Sequence, residues 1–159
     1  MQFTIRKMTE KYAIEVLCWK YERPYDFYNQ VLTSHAIMEL TGKKYYVVLD
    51  RFDVLVGFFC VGAPAQVPAG YPFGAYKETC VDIGLGMKPA FTGRGLGLSF
   101  FSAILDFVGE CYEKMDIRLT VATFNKRAIR LYEKAGFVEQ TKFQSKRAEF
   151  ITMIKPWVK

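Results

Sequence analysis

The 159-residue chain has the length of one ordinary domain, and 51% of its residues are hydrophobic and 16% aromatic. This composition excludes a disordered chain, because disordered chains are poor in aromatic residues and rich in charge. The net charge of +6 favours an anionic partner, such as nucleic acid, anionic lipid or a phosphorylated cofactor, without choosing among them.

The elements predicted for the first half follow from helical and alternating apolar patterns. In chain order they are a strand near residues 3–8, a helix from its Thr9 cap to about Lys20, a helix over 27–40, strands over 45–49 and 54–61 joined by a hairpin turn, and a proline-rich loop over 62–76.

The second half predicts alternating strands and helices. In chain order these are a strand over 80–87, a long helix from near Gly95, a strand over 117–122, a helix over 125–135 with Asn125 as its N-cap and Gly136 beyond its end, and strands over 137–143 and 149–154. This order predicts an α/β fold with a mixed sheet and at least one parallel pair of strands. No linker or repeat interrupts the sequence, so we expect a single domain over 1–159.

Histidine and cysteine are too sparse for a metal centre. The sequence has one histidine, His35, and four scattered cysteines with no Cys-x-x-Cys pair, so we predict no metal site and interpret the cysteines as buried, reduced thiols. The N-terminus lacks the apolar core of a signal peptide, and the longest apolar stretch is too short to span a bilayer. We therefore expect a cytoplasmic protein that does not enter a membrane.

A glycine-rich segment joins the strand ending near Met87 to the long helix. Its sequence is Asp82-Ile-Gly-Leu-Gly-Met-Lys-Pro-Ala-Phe-Thr-Gly-Arg-Gly-Leu-Gly97. Glycines permit positive φ and close approach of a ligand to the backbone, and the N–H groups at a helix N-terminus favour a phosphate. The segment predicts a phosphate site, although a tight turn without a ligand explains the same glycines.

Two familiar phosphate-binding patterns do not fit this segment. The dinucleotide fingerprint Gly-x-Gly-x-x-Gly fails because Leu98 stands where its third glycine belongs, and the P-loop fails because no Gly-Lys-Ser/Thr follows.

A second segment adds to the signal. It reads Val121-Ala-Thr-Phe-Asn-Lys-Arg-Ala-Ile-Arg-Leu-Tyr-Glu-Lys-Ala-Gly-Phe137 and joins a strand to a capped helix. Asn125 and Tyr132 are two helical turns apart and therefore share one face. Lys126 and Arg127 lie in the first turn, where the helix dipole disfavours cations unless an anion is near.

Together, the two segments resemble the GNAT superfamily of acetyl-CoA-dependent N-acetyltransferases over about residues 79–138. The family's pyrophosphate motif, Gln/Arg-x-x-Gly-x-Gly/Ala, aligns with Thr92-Gly-Arg-Gly-Leu-Gly97 and departs only at Thr92. The family's Asn…Leu-Tyr-Glu-Lys-x-Gly-Phe pattern matches at Asn125 and Leu131 to Phe137. The resemblance implies a GNAT-like acyl-CoA N-acyltransferase fold, with a central mixed sheet flanked by about four helices.

The resemblance also implies roles for particular residues. The strand end would pair with pantetheine, and a backbone N–H there, that of Met87, would polarise the thioester carbonyl. Asn125 would bond the pantetheine arm, and Tyr132 would protonate the leaving thiolate, although a tyrosine on such a helix is often only a packing residue. The cofactor-binding residues are then Leu85, Gly86, Met87, Gly93, Arg94, Gly95, Leu96, Gly97, Leu98, Asn125 and Tyr132.

The general base is less well defined. Some family members carry a glutamate five positions before the asparagine, where this chain has Thr120. Asp82 is the next candidate for a catalytic carboxylate and Glu78 a weaker one, and an exposed carboxylate without a catalytic role is the alternative for both.

The acceptor region is predicted from the family's usual arrangement. Tyr21, Tyr25, Tyr28 and Tyr71 would form an aromatic wall for an amine or its alkyl chain; the alternative is that they cover the sheet edge. Asp26 and Glu22 would attract a cationic acceptor, and the amine itself is not identified.

The predicted activity is transfer of an acetyl group from acetyl-CoA to a primary amine, of a small molecule or a protein, by direct attack in a ternary complex. The alternative is an acyl-CoA-binding regulatory module with little or no catalysis. Nucleic-acid binding is not expected, because the basic residues are dispersed and no known motif is present. A monomer and a homodimer are both compatible with the sequence.

Overall fold

The computed structural model of the protein describes residues 2–159, which contain four α-helices and seven β-strands. The helices are α1 (Glu10–Leu17), α2 (Ser34–Leu40), α3 (Gly97–Cys111) and α4 (Lys126–Lys134), and the strands are β1 (Thr4–Lys7), β2 (Tyr45–Leu49), β3 (Leu55–Val61), β4 (Val81–Met87), β5 (Ile117–Ala122), β6 (Val138–Gln144) and β7 (Glu149–Lys155).

The strands form one mixed sheet in the order β1-β2-β3-β4-β5-β7-β6. Strand β2 is antiparallel to β1 and β3, and β7 is antiparallel to β5 and β6. Strands β4 and β5 are parallel, with Asp82 opposite Arg118 in their register. The predicted mixed α/β sheet with a parallel pair is therefore confirmed.

Contacts within the chain divide it into two compact units. The first unit contains the chain up to Cys60 together with Leu85–Ile104, and the second contains Val61–Gly84 together with Leu105–Lys159. The expectation of one domain over 1–159 stays a prediction.

The core of the first unit consists of β2, β3 and the beginning of α3. Almost every residue of β2 and β3 is buried, and Phe100 and Phe101 of α3 are buried as well. Gly57 of β3 has no room for a side chain, because a Cβ atom there would overlap the Phe100 ring and lie 2.6 Å from the Gly86 carbonyl oxygen.

The core of the second unit is built on β5 and β7. Five of the six residues of β5 and four consecutive residues of β7 are buried, so both faces of these strands are covered. Most of the buried residues are apolar, as in Leu119, Val121, Ile151 and Met153. Arg118 breaks this pattern, since it is a charged residue buried within β5.

Helix boundaries were predicted well where a cap marks them. Thr9 accepts the Tyr12 N–H at the start of α1, and Asn125 caps α4 as predicted. The helix predicted over 27–40 is wrong in its first half, because only Ser34–Leu40 is α-helical, after a 3-10 turn at Tyr25–Tyr28. Asn29 is extended and its side-chain oxygen accepts the Tyr21 N–H, a contact eight residues back along the chain that the local helical pattern does not reveal.

The loop predicted between β3 and β4 contains two 3-10 turns, at Ala63–Ala65 and Pro68–Phe73. The four cysteines are free thiols as expected, but only Cys60 is buried, whereas Cys18 and Cys111 are exposed. Of the helices in the described part of the chain, none is long and apolar enough to cross a membrane.

We expect the variant Gly57→Ala to lower the free energy of unfolding by about 1–3 kcal/mol, the usual cost of overpacking. The measurement is urea unfolding. Gly109→Ala is the matched control, because nothing lies within 4 Å of its added Cβ atom and alanine favours the helix by about 0.5–1 kcal/mol. Equal stability of Gly57→Ala and the parent chain would contradict the close approach at Gly57.

Candidate active site

The glycine turn follows β4 in the first unit. Strand β4 ends at Met87, residues Pro89–Phe91 form a 3-10 turn, and α3 begins at Gly97. Between the turn and the helix, Gly93 and Gly95 have φ values of 71° and 77°. This is the left-handed region that glycine adopts without strain, so glycine suits the path of the chain at both positions.

Backbone donors are concentrated at this turn. The first N–H groups of α3 have no acceptor within the helix, and its first turn carries no acidic residue. Residues 93–95 are exposed, and no atom lies within 4 Å of the position that a Cβ atom on Gly95 would occupy. Open space over amide donors is what an anion at a helix N-terminus needs.

Thr92 and Arg94 are directed at the backbone of the preceding turn. The Thr92 hydroxyl donates to the Pro89 carbonyl at 2.7 Å, and Arg94 donates to the Ala90 carbonyl at 3.3 Å. Thr92, which departs from the family motif, therefore stabilises the turn.

Tyr21 contacts the end of β4 within the first unit. Its hydroxyl donates to the Met87 carbonyl at 2.7 Å, and its N–H donates to Asn29 Oδ1 at 2.7 Å. The residue after Met87, Lys88, forms an ion pair of 3.5 Å with Glu15. Tyr21, predicted as part of an acceptor wall, thus braces the strand end that was predicted to hold the cofactor.

The other predicted acceptor tyrosines belong to two 3-10 turns. Tyr25 and Tyr28 belong to the 3-10 turn before α2, where the Tyr28 ring packs edge to face on Phe27. Tyr71 belongs to the second unit and its ring packs edge to face on Tyr76 at 5.5 Å.

A buried ion pair connects β4 and β5 in the second unit. Arg118 Nε donates to Asp82 Oδ1 at 2.7 Å and Arg118 Nη2 donates to Asp82 Oδ2 at 2.9 Å. The two residues are only 2% and 4% exposed. Burial by itself lowers the pKa of Arg118, but the hydrogen bonds and charge of Asp82 outweigh burial and hold that pKa above its usual value.

Hydrogen bonds extend from the ion pair into the loop between β3 and β4. Gln66 Nε2 donates to Asp82 Oδ2 at 2.9 Å, and the Tyr71 hydroxyl donates to Gln66 Oε1 at 2.8 Å. Arg118 Nη1 donates to the Glu78 carbonyl at 3.1 Å. Both oxygens of Asp82 are therefore occupied, which favours a positioning role over the predicted role as base.

Tyr76 connects the same loop to β5. Its hydroxyl oxygen accepts the Val67 N–H at 2.8 Å and shares a hydrogen bond of 2.7 Å with Thr120 Oγ1. The Arg118 guanidinium lies 5.1 Å from the centre of its ring. Burial is the largest influence on the pKa of Tyr76 and raises it, so the phenol stays neutral at physiological pH.

A pocket of about 350 Å³ opens beside this network. It is lined by Gln66, Tyr71, Gly74, Tyr76 and Lys77, all from the loop of the second unit.

Asn125 and Tyr132 lie on α4 in the second unit. Asn125 Oδ1 accepts the Ala128 N–H at 3.1 Å as the N-cap. Tyr132 is 8% exposed, and its ring centre lies 6.2 Å from that of Phe137. Lys126 and Arg127 are exposed in the first turn of the helix.

A family model described as the acetyltransferase (GNAT) family matches residues 8–137. The chain belongs to the GNAT acetyltransferase family. The family assignment made from the glycine turn and the Asn125–Phe137 segment is therefore confirmed, and with it the enzyme class, an acyltransferase. A search of curated protein sequences finds no match.

Solved structures of other acetyltransferases share the fold of this GNAT chain. One is the aminoglycoside acetyltransferase AAC(6')-Ib in complex with coenzyme A, with a TM-score of 0.74, 21% identity and coverage of 98% of this chain and 95% of that one. Another is a chimera of the spermidine N-acetyltransferase SpeG from Vibrio cholerae and hSSAT, with a TM-score of 0.67, 18% identity and coverage of 97% and 95%. At these identities the likeness shows the fold.

Three residues of this GNAT chain escaped the sequence reasoning. Gln66 and Tyr76 join the candidate site through hydrogen bonds from the loop to a strand, and Arg118 joins it through hydrogen bonds from β5 to β4. The available signal was Arg118 itself, because an arginine within an apolar strand needs a buried acidic partner. Among residues 2–159, no three His, Cys, Asp or Glu side chains gather as metal ligands do.

We expect Arg118→Met to lower the free energy of unfolding by about 3–5 kcal/mol, because Asp82 is left buried and unpaired. We expect the double variant Asp82→Leu/Arg118→Met to lose less stability than Asp82→Leu or Arg118→Met alone, since neither charge remains. Lys88→Met is the control, because its half-exposed ion pair contributes about 1 kcal/mol or less. Additive losses in the double variant, measured by urea unfolding, would contradict the coupling.

Proposed function

We propose that the protein transfers an acetyl group from acetyl-CoA to a primary amine by direct attack within a ternary complex. The observation that carries this proposal is the backbone of the glycine turn, with left-handed Gly93 and Gly95 leading into the N-terminus of α3. Membership of the GNAT family supports it, as do similar structures that hold coenzyme A.

We assign the cofactor contacts of the first unit to backbone groups. The amides of Gly93, Arg94, Gly95, Leu96, Gly97 and Leu98 would bind the pyrophosphate, since exposed donors at a helix N-terminus favour a phosphate. The strand end Leu85, Gly86 and Met87 would pair with pantetheine, with the Met87 N–H donating to the thioester carbonyl. Tyr21 holds this strand end through the Met87 carbonyl.

We assign the remaining roles to α4. The amine adds to the thioester carbonyl, and coenzyme A leaves as a thiolate that needs a proton. The Tyr132 hydroxyl would supply this proton. The Asn125 side chain would bond the pantetheine arm, while its oxygen caps the helix.

In this proposal no carboxylate is assigned as the general base that removes a proton from the amine. Thr120 stands where some relatives have a glutamate, and the Asp82 carboxylate is engaged by Arg118 and Gln66. The role of Asp82 as base stays a prediction, which an Asp82→Asn variant tests. If Asp82 only positions its neighbours, the pH dependence of kcat/KM keeps its shape in that variant while its height falls.

The direct test combines calorimetry with turnover. Titration of acetyl-CoA into the protein measures cofactor binding, and release of coenzyme A in the presence of a panel of amines measures transfer. Binding with transfer to an amine supports the proposal. Binding without transfer to any amine would indicate the alternative, a regulatory module that binds acyl-CoA, and no binding would overturn both.

We expect Tyr132→Phe to lower kcat by about 100-fold or more, as for loss of a general acid. The KM for acetyl-CoA should change by about twofold or less, because the ring is kept. Tyr112→Phe is the matched control, since Tyr112 is 39% exposed and outside the proposed site. Full turnover by Tyr132→Phe would remove Tyr132 from the role of general acid.

We expect Gly95→Ala to weaken coenzyme A binding roughly tenfold, because alanine resists the left-handed conformation by about 1–2 kcal/mol and the amide donors shift. Calorimetry with coenzyme A measures the effect. Gly136→Ala is the control: Gly136 also has a positive φ, of 99°, but lies at the end of α4. If both variants bind coenzyme A equally, the glycine turn is not the phosphate site.

A further inference from the structure

The pocket beside the buried ion pair has no role in the family assignment. On the basis of the proposed function, we propose that this pocket binds the acceptor, and that the acceptor is an amine with an apolar or aromatic body and a carboxylate, and not a polycation. Three features of the pocket support this proposal: its aromatic walls, the charges of its lining residues, and its connection to β5.

The walls of the pocket are aromatic. Tyr71 and Tyr76 pack edge to face with ring centres 5.5 Å apart, and Tyr71 remains 53% exposed. The aromatic surface continues through Phe143, whose ring lies 6.5 Å from that of Tyr76, to Phe73, which is stacked on Phe143. A volume of about 350 Å³ suits a small molecule, and rings of this kind bury an apolar body well.

The polar groups of the pocket are already bonded to one another. Gln66 Nε2 donates to Asp82, and Gln66 Oε1 accepts from Tyr71. Asp82 is 4% exposed and its charge is balanced by Arg118. The nearby Glu78 carboxylate accepts from Gln140 at 3.2 Å and is not a lining residue. A second ammonium group on the acceptor would therefore lose its water in this pocket without gaining a carboxylate partner.

Lys77 is the charged member of the five lining residues. Its ammonium repels a second cation and attracts an anion, and a charge-assisted bond to a carboxylate is among the stronger polar contacts. Spermidine and aminoglycosides, the acceptors named for the similar structures, carry several ammonium groups. We therefore expect this lining to disfavour them.

Tyr76 connects the pocket to the strand that precedes α4. Its hydroxyl bonds Thr120 of β5 at 2.7 Å, and Thr120 stands at the position that carries a glutamate in some relatives. Strand β5 leads directly to Asn125, whose N–H donates to the Ala122 carbonyl. The pocket thus borders the strand position at which family resemblance expects the amine to lose its proton.

The test uses the full chain, acetyl-CoA and matched amines. Phenylalanine and 2-phenylethylamine differ only in the carboxylate, as do leucine and isoamylamine, and spermidine and kanamycin represent polycations. We expect kcat/KM to be about tenfold higher for each carboxylate-bearing amine than for its partner, the effect of one good charge pair, and lower still for the polycations. Ligand-observed NMR in the presence of coenzyme A measures the binding of each amine and gives a readout independent of turnover.

The decisive variant is Lys77→Glu, which reverses the charge of the lining. We expect it to lower kcat/KM for phenylalanine and leucine by about tenfold or more and to raise it for spermidine. Lys77→Met should abolish the preference within each pair without favouring spermidine. Lys43→Glu is the control for net charge, because Lys43 is exposed in the first unit and its change should leave the ranking intact.

The outcomes separate this inference from the proposed function. If acetyl-CoA binds and spermidine or kanamycin is the best acceptor, the proposed function stands and the inference is overturned. An unchanged ranking in Lys77→Glu, or no binding of any carboxylate-bearing amine, overturns it as well. A chain that does not bind acetyl-CoA contradicts both.

Discussion

The second unit is organised around one pair of opposite charges placed where water cannot reach them. Asp82 and Arg118 face each other across the parallel strands β4 and β5, and Arg118 donates two hydrogen bonds to the Asp82 carboxylate. Such a pair tolerates little movement, because a buried charge that loses its partner costs several kcal/mol. A shift of register by one residue would turn one side chain to the other face of the sheet. The pair therefore specifies the register of the one parallel pairing described for this unit.

The same pair organises the loop that precedes β4. Gln66 and the Glu78 carbonyl bind the two ends of the ion pair, and the Gly62 N–H donates to the Asp82 carbonyl. Tyr76 packs on the Arg118 guanidinium. A loop with three prolines and little regular structure thus acquires a defined shape, and the pocket is a consequence of that shape. Loops carry binding sites when a rigid scaffold positions them, and here the scaffold is electrostatic.

Local signals explain how much of the structure was predictable. The Thr9 and Asn125 caps, the hairpin turn in which Asp50 accepts the Phe52 and Val54 N–H groups, and the glycines at 93 and 95 are all set by near neighbours in sequence. The contacts that were missed connect distant residues: Arg118 to Asp82, and Tyr21 to Met87. The predicted start of α2 was wrong for a similar reason, because Asn29 is held by a hydrogen bond from the distant Tyr21 N–H and is not helical.

The hydrogen-bond donors of the glycine turn are arranged by its backbone conformation. Its donors are main-chain amides, whose directions are set by φ and ψ. Thr92 uses its hydroxyl on the turn itself, so its departure from the family's Gln or Arg changes a side chain and removes no backbone donor. Side chains could therefore change at most positions of this turn without removing the backbone donors that the proposed phosphate site requires. At Gly93 and Gly95, what the residue contributes is a backbone conformation, with φ values of 71° and 77°.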